Sequence, residues 1–379
     1  MSGNNKVQRV VHVLYSGLGG HGAVMFGMLE AGFYADAEHL VLLTGVEEPL
    51  QDYVERLDQR QIAWSYVPKQ PGRGYVAFYR ALRRAIFESA PDLVFVHGLA
   101  TVPSVIVNRS RAAVLLRETE PSQAKSMKDW TSLALAHANV DAVVHLTEDA
   151  AQTAAKKLRL LHRPDKVHII GNGLDTDFFS PAPMGADALL SGPVIRLGMV
   201  SRLQPSKDHM TLIKAFDRLR AARPSVDLRL EIAGDGNTRP GLEAEIAQRG
   251  LQDHVTLHGT LGAEGVRDLL RSLDIYAHAS LGETMSNSIM QAMAVGLPII
   301  AGAVPGVTNM VVPEVGVLYP SSDEQALEKE IAAFLDNKES VRHLAKAARA
   351  HALRQFDARQ TARAYEGLGE QLFRARARR

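Results

Sequence analysis

Val10-Val11-His12-Val13-Leu14 runs directly into Tyr15-Ser16-Gly17-Leu18-Gly19-Gly20-His21-Gly22, and Ala23–Ala31 then follows with helical periodicity. A short apolar run closed by a glycine-rich turn and a helix is the opening βα unit of a parallel α/β sheet. Glycines let backbone approach a ligand closely, and a helix start favours an anion. Strands are predicted next at His39–Leu43, Leu93–His97, Ala113–Leu116 and Ala142–Leu146, with helices at Tyr75–Glu88, Ser126–Ala138 and Glu148–Leu158. The pattern restarts with strands at Ile195–Val200, Leu228–Ala233, Val255–Leu257, Ile275–Ala277 and Pro298–Ala301. Helices are expected there at His209–Ala222, Arg239–Arg249, Gly265–Leu273 and Ser288–Val295.

Two doubly wound, Rossmann-like domains follow, spanning 1–182 and 190–356. The linker is expected at Ser180-Pro181-Ala182-Pro183-Met184-Gly185, which has little to bury. Residues 357–379 read as a C-terminal helix crossing back to the first domain, with a basic end at Arg374, Arg376, Arg378 and Arg379. The 43 basic and 42 acidic side chains leave a net charge of +1, which removes the bulk electrostatic case for nucleic acid. The lack of cysteine excludes disulfides, a thiolate nucleophile and thiolate metal sites. Met1 to Arg9 is polar and the apolar run after it is short, so a cytoplasmic protein is expected. The uncharged stretch Thr284 to Pro313 carries too many polar residues and prolines for a lipid-facing helix and reads as buried core.

Gly17, Gly19 and Gly22 spell G-x-G-x-x-G, yet the second strand ends Leu42-Leu43-Thr44-Gly45 without an acid to hold a ribose. A nicotinamide or flavin dinucleotide is therefore disfavoured. In the second half, Ser201-Arg202-Leu203-Gln204-Pro205-Ser206-Lys207-Asp208 puts two cations at the carboxyl end of that domain's first strand. Arg202 offers a planar fork and Lys207 a point charge, a pair suited to a diphosphate. Gly234-Asp235-Gly236, His258-Gly259-Thr260 and the run Ser280 to Ala294 also follow strands, so all could line one cleft.

With these motifs in this order, the chain resembles the retaining glycosyltransferases of family 4, the group 1 glycosyltransferases, over nearly its whole length. Further parts of the resemblance are Pro91-Asp92-Leu93-Val94-Phe95-Val96-His97 and Asn172-Gly173-Leu174-Asp175 with Phe178. The resemblance implies the GT-B fold, two Rossmann-like domains facing across a cleft, with the nucleotide sugar held mainly by the second. It implies Arg202 and Lys207 as ligands of the leaving diphosphate, and Glu283 as the first acid of an E-x7-E motif, at the donor sugar. The second acid is replaced by Gln291, which can accept one ribose hydrogen bond but not a charge-assisted one. His97, Gly19, Gly20, Gly234 and Gly259 are implied at the donor, with Thr284, Met285, Ser286 and Asn287 beside the sugar and diphosphate. On the acceptor side, where many relatives carry a histidine after the next strand, this chain reads Arg117-Glu118-Thr119-Glu120, leaving His21, Glu118 and Glu120 as candidates.

The implied reaction is transfer of a sugar from a nucleotide diphosphate sugar to a hydroxyl of a glycan or lipid-linked acceptor, in bacterial envelope polysaccharide assembly. No cofactor and no metal is expected. Asp175-Thr176-Asp177 spells the metal-chelating D-x-D of another glycosyltransferase fold, but it lies within the N-G-x-D pattern. Lys69 to Arg84, with Arg73, Arg80, Arg83 and Arg84, reads either as a helix resting on the anionic inner face of the membrane or as an amphipathic helix packed on the sheet. A sugar-nucleotide epimerase or phosphorylase, and a non-catalytic binding relative, are the alternatives.

Overall fold

The computed structural model describes residues 6–16, 20–70, 75–106 and 111–378. The chain forms two compact units, Met1–Gly173 with Ala358–Arg379, and Leu174–Asp357.

The first unit contains β1 (Arg9–Tyr15), α1 (Gly20–Glu30), β2 (Glu38–Gly45), α2 (Gln51–Gln59), β3 (Ala63–Pro68), α3 (Tyr75–Glu88), β4 (Leu93–His97), β5 (Ala113–Glu118), α4 (Met127–Asn139), β6 (Ala142–His145), α5 (Glu148–Leu158) and β7 (Val167–Ile169). Its described strands pair in parallel in the order β3-β2-β1-β4-β5-β6-β7. The central strand β4 is buried along its whole length, as a parallel strand covered by helices on both faces must be. Val11, Val13, Val94 and Val96 pack on one face with Phe78, Leu82 and Ile86 of α3. Val10, Leu93 and Phe95 pack on the other with Phe33 and Tyr365.

The second unit contains β8 (Val194–Val200), α6 (His209–Ala222), β9 (Asp227–Ala233), α7 (Arg239–Gln248), β10 (Val255–Leu257), α8 (Ala263–Ser272), β11 (Ile275–His278), α9 (Asn287–Ala294), β12 (Ile299–Gly302), β13 (Gly316–Tyr319), α10 (Glu324–Asp336) and α11 (Lys338–Gln355). Its parallel order is β10-β9-β8-β11-β12-β13. The strand order reverses at β1/β4 in the first sheet and at β8/β11 in the second, the crevices where doubly wound sheets take ligands. Helix α12 (Ala358–Ala377) belongs to the first unit.

The division between units differs from the sequence expectation. The chain passes from one unit to the other at Gly173/Leu174 and returns at Asp357/Ala358, whereas Ser180–Gly185 lies inside the second unit. Arg271 donates through Nε to the Ser180 carbonyl at 2.7 Å and through Nη2 to Ser180 Oγ at 2.9 Å, and just before it Arg349 Nη1 donates to the carbonyls of Thr176 and Phe179 at 2.9 Å each, so the head of the proline-bearing stretch is pinned to the second unit. Strands β3, β7 and β13 and helices α2, α10 and α11 were not anticipated. β3 alternates exposed and half-buried residues along most of its length, so it lacks the continuous apolar run of an interior parallel strand. Thr284 to Pro313 forms α9, β12 and their connections, with Ile289, Met290, Ile299 and Ile300 fully buried. Among the described residues no helix is long and apolar enough to cross a membrane.

Candidate active site

In the second unit β8 delivers the loop from Ser201, with Leu203 buried as its anchor. A 3₁₀ turn over Pro205–Lys207 ends at Asp208, which has left-handed backbone at φ +38° and is followed by α6. Asp208 is held there by hydrogen bonds to its carboxylate from the hydroxyls of Thr211 and Ser322, both 2.9 Å. The loop after β11 is stitched to this turn at one carbonyl. Ser206 O accepts from Leu281 N at 2.8 Å and from Ser280 Oγ at 3.1 Å.

That stitching brings together Lys207 and Glu283, which form a hydrogen-bonded ion pair through Nζ and Oε1. His278 Nε2 donates to the same Glu283 oxygen at 2.9 Å, and Tyr276 OH lies 3.4 Å from the other nitrogen of His278. Burial alone would push the Glu283 carboxyl up. The hydrogen bond and charge of His278, together with Lys207, outweigh it and bring the carboxyl down to about 2. His209, at the start of α6, meets Ser201 Oγ at 2.9 Å, and burial brings its ring down to about 4, with His278 and Lys207 adding to the effect. Arg202 is exposed and has no ion-pair partner among the described residues.

Two glycines let this loop cluster form. A Cβ on Gly234, at φ +135°, would sit 1.8 Å from the Ser201 carbonyl oxygen. A Cβ on Gly306, at φ +83°, would sit 2.4 Å from the carbonyl oxygen of Glu283 and 2.6 Å from that of Thr284. Gly259 accepts the Gly234 N–H at 2.7 Å, joining the β9 and β10 loops. Thr284 and Ser286 are buried, Met285 and Asn287 half-buried, and α9 begins at Asn287. Gln291 lies one turn on from Asn287, half-buried, and its side chain makes no hydrogen bond among the described residues. His278 and Gly306 were not anticipated from sequence. The polar end of the apolar run Ile275–His278 was the available signal for the first, while nothing local marks Gly306.

In the first unit, Gly20 opens α1 and Gly17–Gly19 lie outside the described residues. His97 ends β4 and is buried at 4% exposure. His21 approaches it, with Cε1 3.6 Å from where a Cβ on Gly98 would lie. Glu118 is turned inward at 1% exposure. Its Oε1 meets Lys125 Nζ at 3.2 Å and the Glu120 N–H at 2.8 Å, while Oε2 lies 3.3 Å from His145 Nδ1. Burial opposes ionisation of Glu118, but His145 and Lys125 hold its carboxyl below the usual range. Glu118 is thus committed to internal partners, and exposed Glu120 with half-buried His21 are the acceptor-side candidates that remain accessible. Arg117 is fully buried and donates to Asn172 Oδ1, which explains the asparagine of the N-G-x-D pattern. Asp175 Oδ1 accepts the N–H groups of Asp177 at 2.9 Å and Phe178 at 2.8 Å, a turn-capping use of that carboxylate. Among the described residues no group of three or more His, Asp or Glu is placed to hold a metal ion.

The comparisons with known proteins agree with this architecture. Residues 19–178 match the family described as Glycosyltransferase Family 4, and residues 190–351 match Glycosyl transferases group 1. The D-inositol 3-phosphate glycosyltransferase of Streptomyces griseus is 29% identical over 239 residues, covering 56% of this chain and 51% of the relative. The phosphatidylinositol N-acetylglucosaminyltransferase gpi3 subunit of Schizosaccharomyces pombe is 33% identical over 185 residues, covering 48% of this chain and 39% of the relative. The chain thus spans about half the length, or less, of these curated relatives. Among solved structures, Anabaena Alr3699/HepE in complex with UDP and glucose is similar with a TM-score of 0.80 at 20% identity, over 95% of this chain and 99% of that one. That likeness shows the GT-B α/β fold. The two matched models together span both units, and the chain belongs to the group 1, family 4 glycosyltransferases.

Proposed function

We propose that this protein transfers a sugar from a nucleoside diphosphate sugar to a hydroxyl of a glycan or lipid-linked acceptor. On this reading the anomeric configuration is retained, no metal takes part, and the setting is envelope polysaccharide assembly. The observation that carries it is the Lys207–Glu283–His278 constellation at the β8/β11 crevice. A departing diphosphate gains charge, and pre-placed cations and helix-start amides stabilise it. Lys207, Arg202 and the amides from Thr284 to Ser288 supply these groups. Lys207 exchanges its carboxylate partner for phosphate oxygens, and Glu283, still held by His278, is released toward the sugar hydroxyls. UDP is the proposed nucleotide, supported by its presence in the structurally similar Alr3699/HepE.

Contact with anionic lipid is proposed for α3. Its Phe78, Leu82 and Ile86 are buried on the sheet, while Tyr75 and Val76 are 50% and 60% exposed and Arg80 and Arg84 face out. Lys69 and Lys128 place their ammonium groups 4.5 and 4.4 Å from the Tyr75 ring centre, giving a cationic patch with an aromatic centre. Arg73 lies outside the described residues.

A thermal-shift series with UDP-, GDP- and ADP-sugars ranks the donors. Nucleotide release is then measured with and without a glycolipid acceptor in excess EDTA. Acceptor-dependent release of UDP in EDTA is expected. Abolition by EDTA with rescue by Mn²⁺ would transfer diphosphate neutralisation to a metal, and acceptor-independent epimerisation would replace the transferase reading.

A further inference from the structure

Three histidines cross the first sheet on one diagonal. His39 lies on β2 opposite Val10 of β1, His12 lies two residues further along β1 opposite Phe95 of β4, and His97 lies two residues further along β4. Because side chains on a strand repeat every second residue, all three share one face. Each step also moves toward the carboxyl edge of the sheet. The rings are joined end to end. His39 Nε2 is 3.1 Å from the Tyr34 carbonyl oxygen, His39 Nδ1 is 3.2 Å from His12 Nε2, and His12 Nδ1 is 3.2 Å from His97 Nε2. Centroids of His12 lie 5.4 and 5.5 Å from those of His39 and His97. His97 in turn stacks on Phe95 at 4.2 Å. The last nitrogen, His97 Nδ1, is buried with no hydrogen-bond partner among the described residues.

The order of donors along this row follows from its first member. A carbonyl oxygen only accepts, so His39 Nε2 carries a proton. A neutral imidazole has one donor and one acceptor, so His39 Nδ1 accepts from His12 Nε2–H and His12 Nδ1 accepts from His97 Nε2–H. His97 Nδ1 is then left as a bare lone pair. Burial keeps all three rings toward their neutral forms, with mutual repulsion of neighbouring rings adding to it at His12 and His97.

We infer that His39 and His12 are positioning residues that hold His97 in the Nε2–H tautomer, so that its buried Nδ1 accepts a hydrogen bond from a hydroxyl of the sugar or acceptor. A buried acceptor without a partner is costly unless something supplies a donor. At the carboxyl edge beside the β1/β4 switch point, a neutral polyol meets that need, whereas a phosphate oxygen is repelled by the lone pair. The hydroxyl-bearing ligand rests on the proposed transferase function, while the tautomer does not.

The test uses the full chain labelled with ¹⁵N-histidine, with long-range ¹H–¹⁵N spectra at neutral pH and turnover of UDP-glucose measured in parallel. In the wild type, His97 is expected as a single Nε2–H tautomer. His39→Phe removes the acceptor that orders the row, and should give His97 mixed tautomers and a kcat/KM lower by about tenfold, the scale of one hydrogen bond. His39→Gln can donate to the Tyr34 carbonyl and accept from His12, so it should restore both the tautomer and the rate. A proton on Nδ1 of wild-type His97 overturns the inference, as does an unchanged single tautomer in folded His39→Phe. If His39→Phe does not fold, the wild-type and His39→Gln spectra decide, and a proton on His97 Nδ1 in either overturns it. Absence of UDP-glucose turnover with the expected spectra counts against that donor and leaves the ordered row supported.

Discussion

Lys207 and Glu283, 76 residues apart, are partners in one ion pair, although the family resemblance gives them separate ligand groups to hold. Under the proposed function, donor binding would replace this bond of Lys207, and the carboxylate so released is already oriented by His278.

Replacing either cation tests the diphosphate assignment, and the two variants should differ in stability. Arg202→Ala and Lys207→Ala should each slow turnover by about 100-fold or more, the scale of one oriented electrostatic stabiliser. Arg202 is exposed, so its removal should change stability by about 0.5 kcal/mol or less. Lys207→Ala strips a partner from a carboxylate only 9% exposed and should cost about 1–3 kcal/mol in urea unfolding. Near-normal turnover in both would place the diphosphate elsewhere.

Glu283 and Gln291 should separate kinetically. Contacts that strengthen in the transition state act on kcat, and contacts to the unchanging ribose act mainly on KM. Glu283→Ala should depress kcat strongly. Gln291→Ala should raise the donor KM by about 5- to 20-fold, and Gln291→Glu should keep activity. Inactivity of a folded Gln291→Glu would show that the ribose is not held at this position.

Acid unfolding should show two windows. The folded Glu283 carboxyl titrates near 2 rather than 4.5, so the unfolded chain binds more protons between these values. Its contribution is present above about pH 4.5 and lost as pH falls toward 2. His209, lowered from 6.5 to about 4, gives a contribution present above 6.5 and lost as pH falls to 4. His209→Gln should flatten the upper part of the stability profile, and Glu283→Gln the lower part, in urea titrations across pH. An unchanged slope in either variant contradicts the corresponding assignment.

Gly306→Ala should lower kcat without unfolding the second unit. Its backbone is left-handed and its absent Cβ faces the Glu283 carbonyl, so a methyl group displaces the acid's loop. Steady-state kinetics with circular dichroism would check this, and wild-type kcat in the variant would mean the loop tolerates the shift.

Vesicles containing anionic lipid should retain the protein at low salt and release it as salt rises. Arg80→Glu combined with Arg84→Glu should weaken retention and leave turnover of a soluble acceptor unchanged. Equal binding to neutral vesicles, or none to either, removes the membrane assignment.

The alternation of apolar runs with helical segments was legible because interior parallel strands bury both faces, so β1, β4, β8 and β11 appear as predominantly apolar runs. That Arg202, Lys207, Glu283 and Gln291 gather at one sheet edge was legible because each follows a strand of one parallel sheet, β8 or β11. Half-exposed β3 carried no such run, and the unit boundary was misplaced because Arg271, 91 residues away, holds Ser180 at the head of the stretch that composition marks as a linker, with Arg349 holding Thr176 and Phe179 just before it. Likewise only strand order could set His39, His12 and His97 on one diagonal, turn Glu118 inward onto Lys125 and His145, and close Lys207 on Glu283. Local patterning reports which face of an element meets the core. Which distant side chains then share that face depends on the order and register of the strands, a property of the assembled sheet.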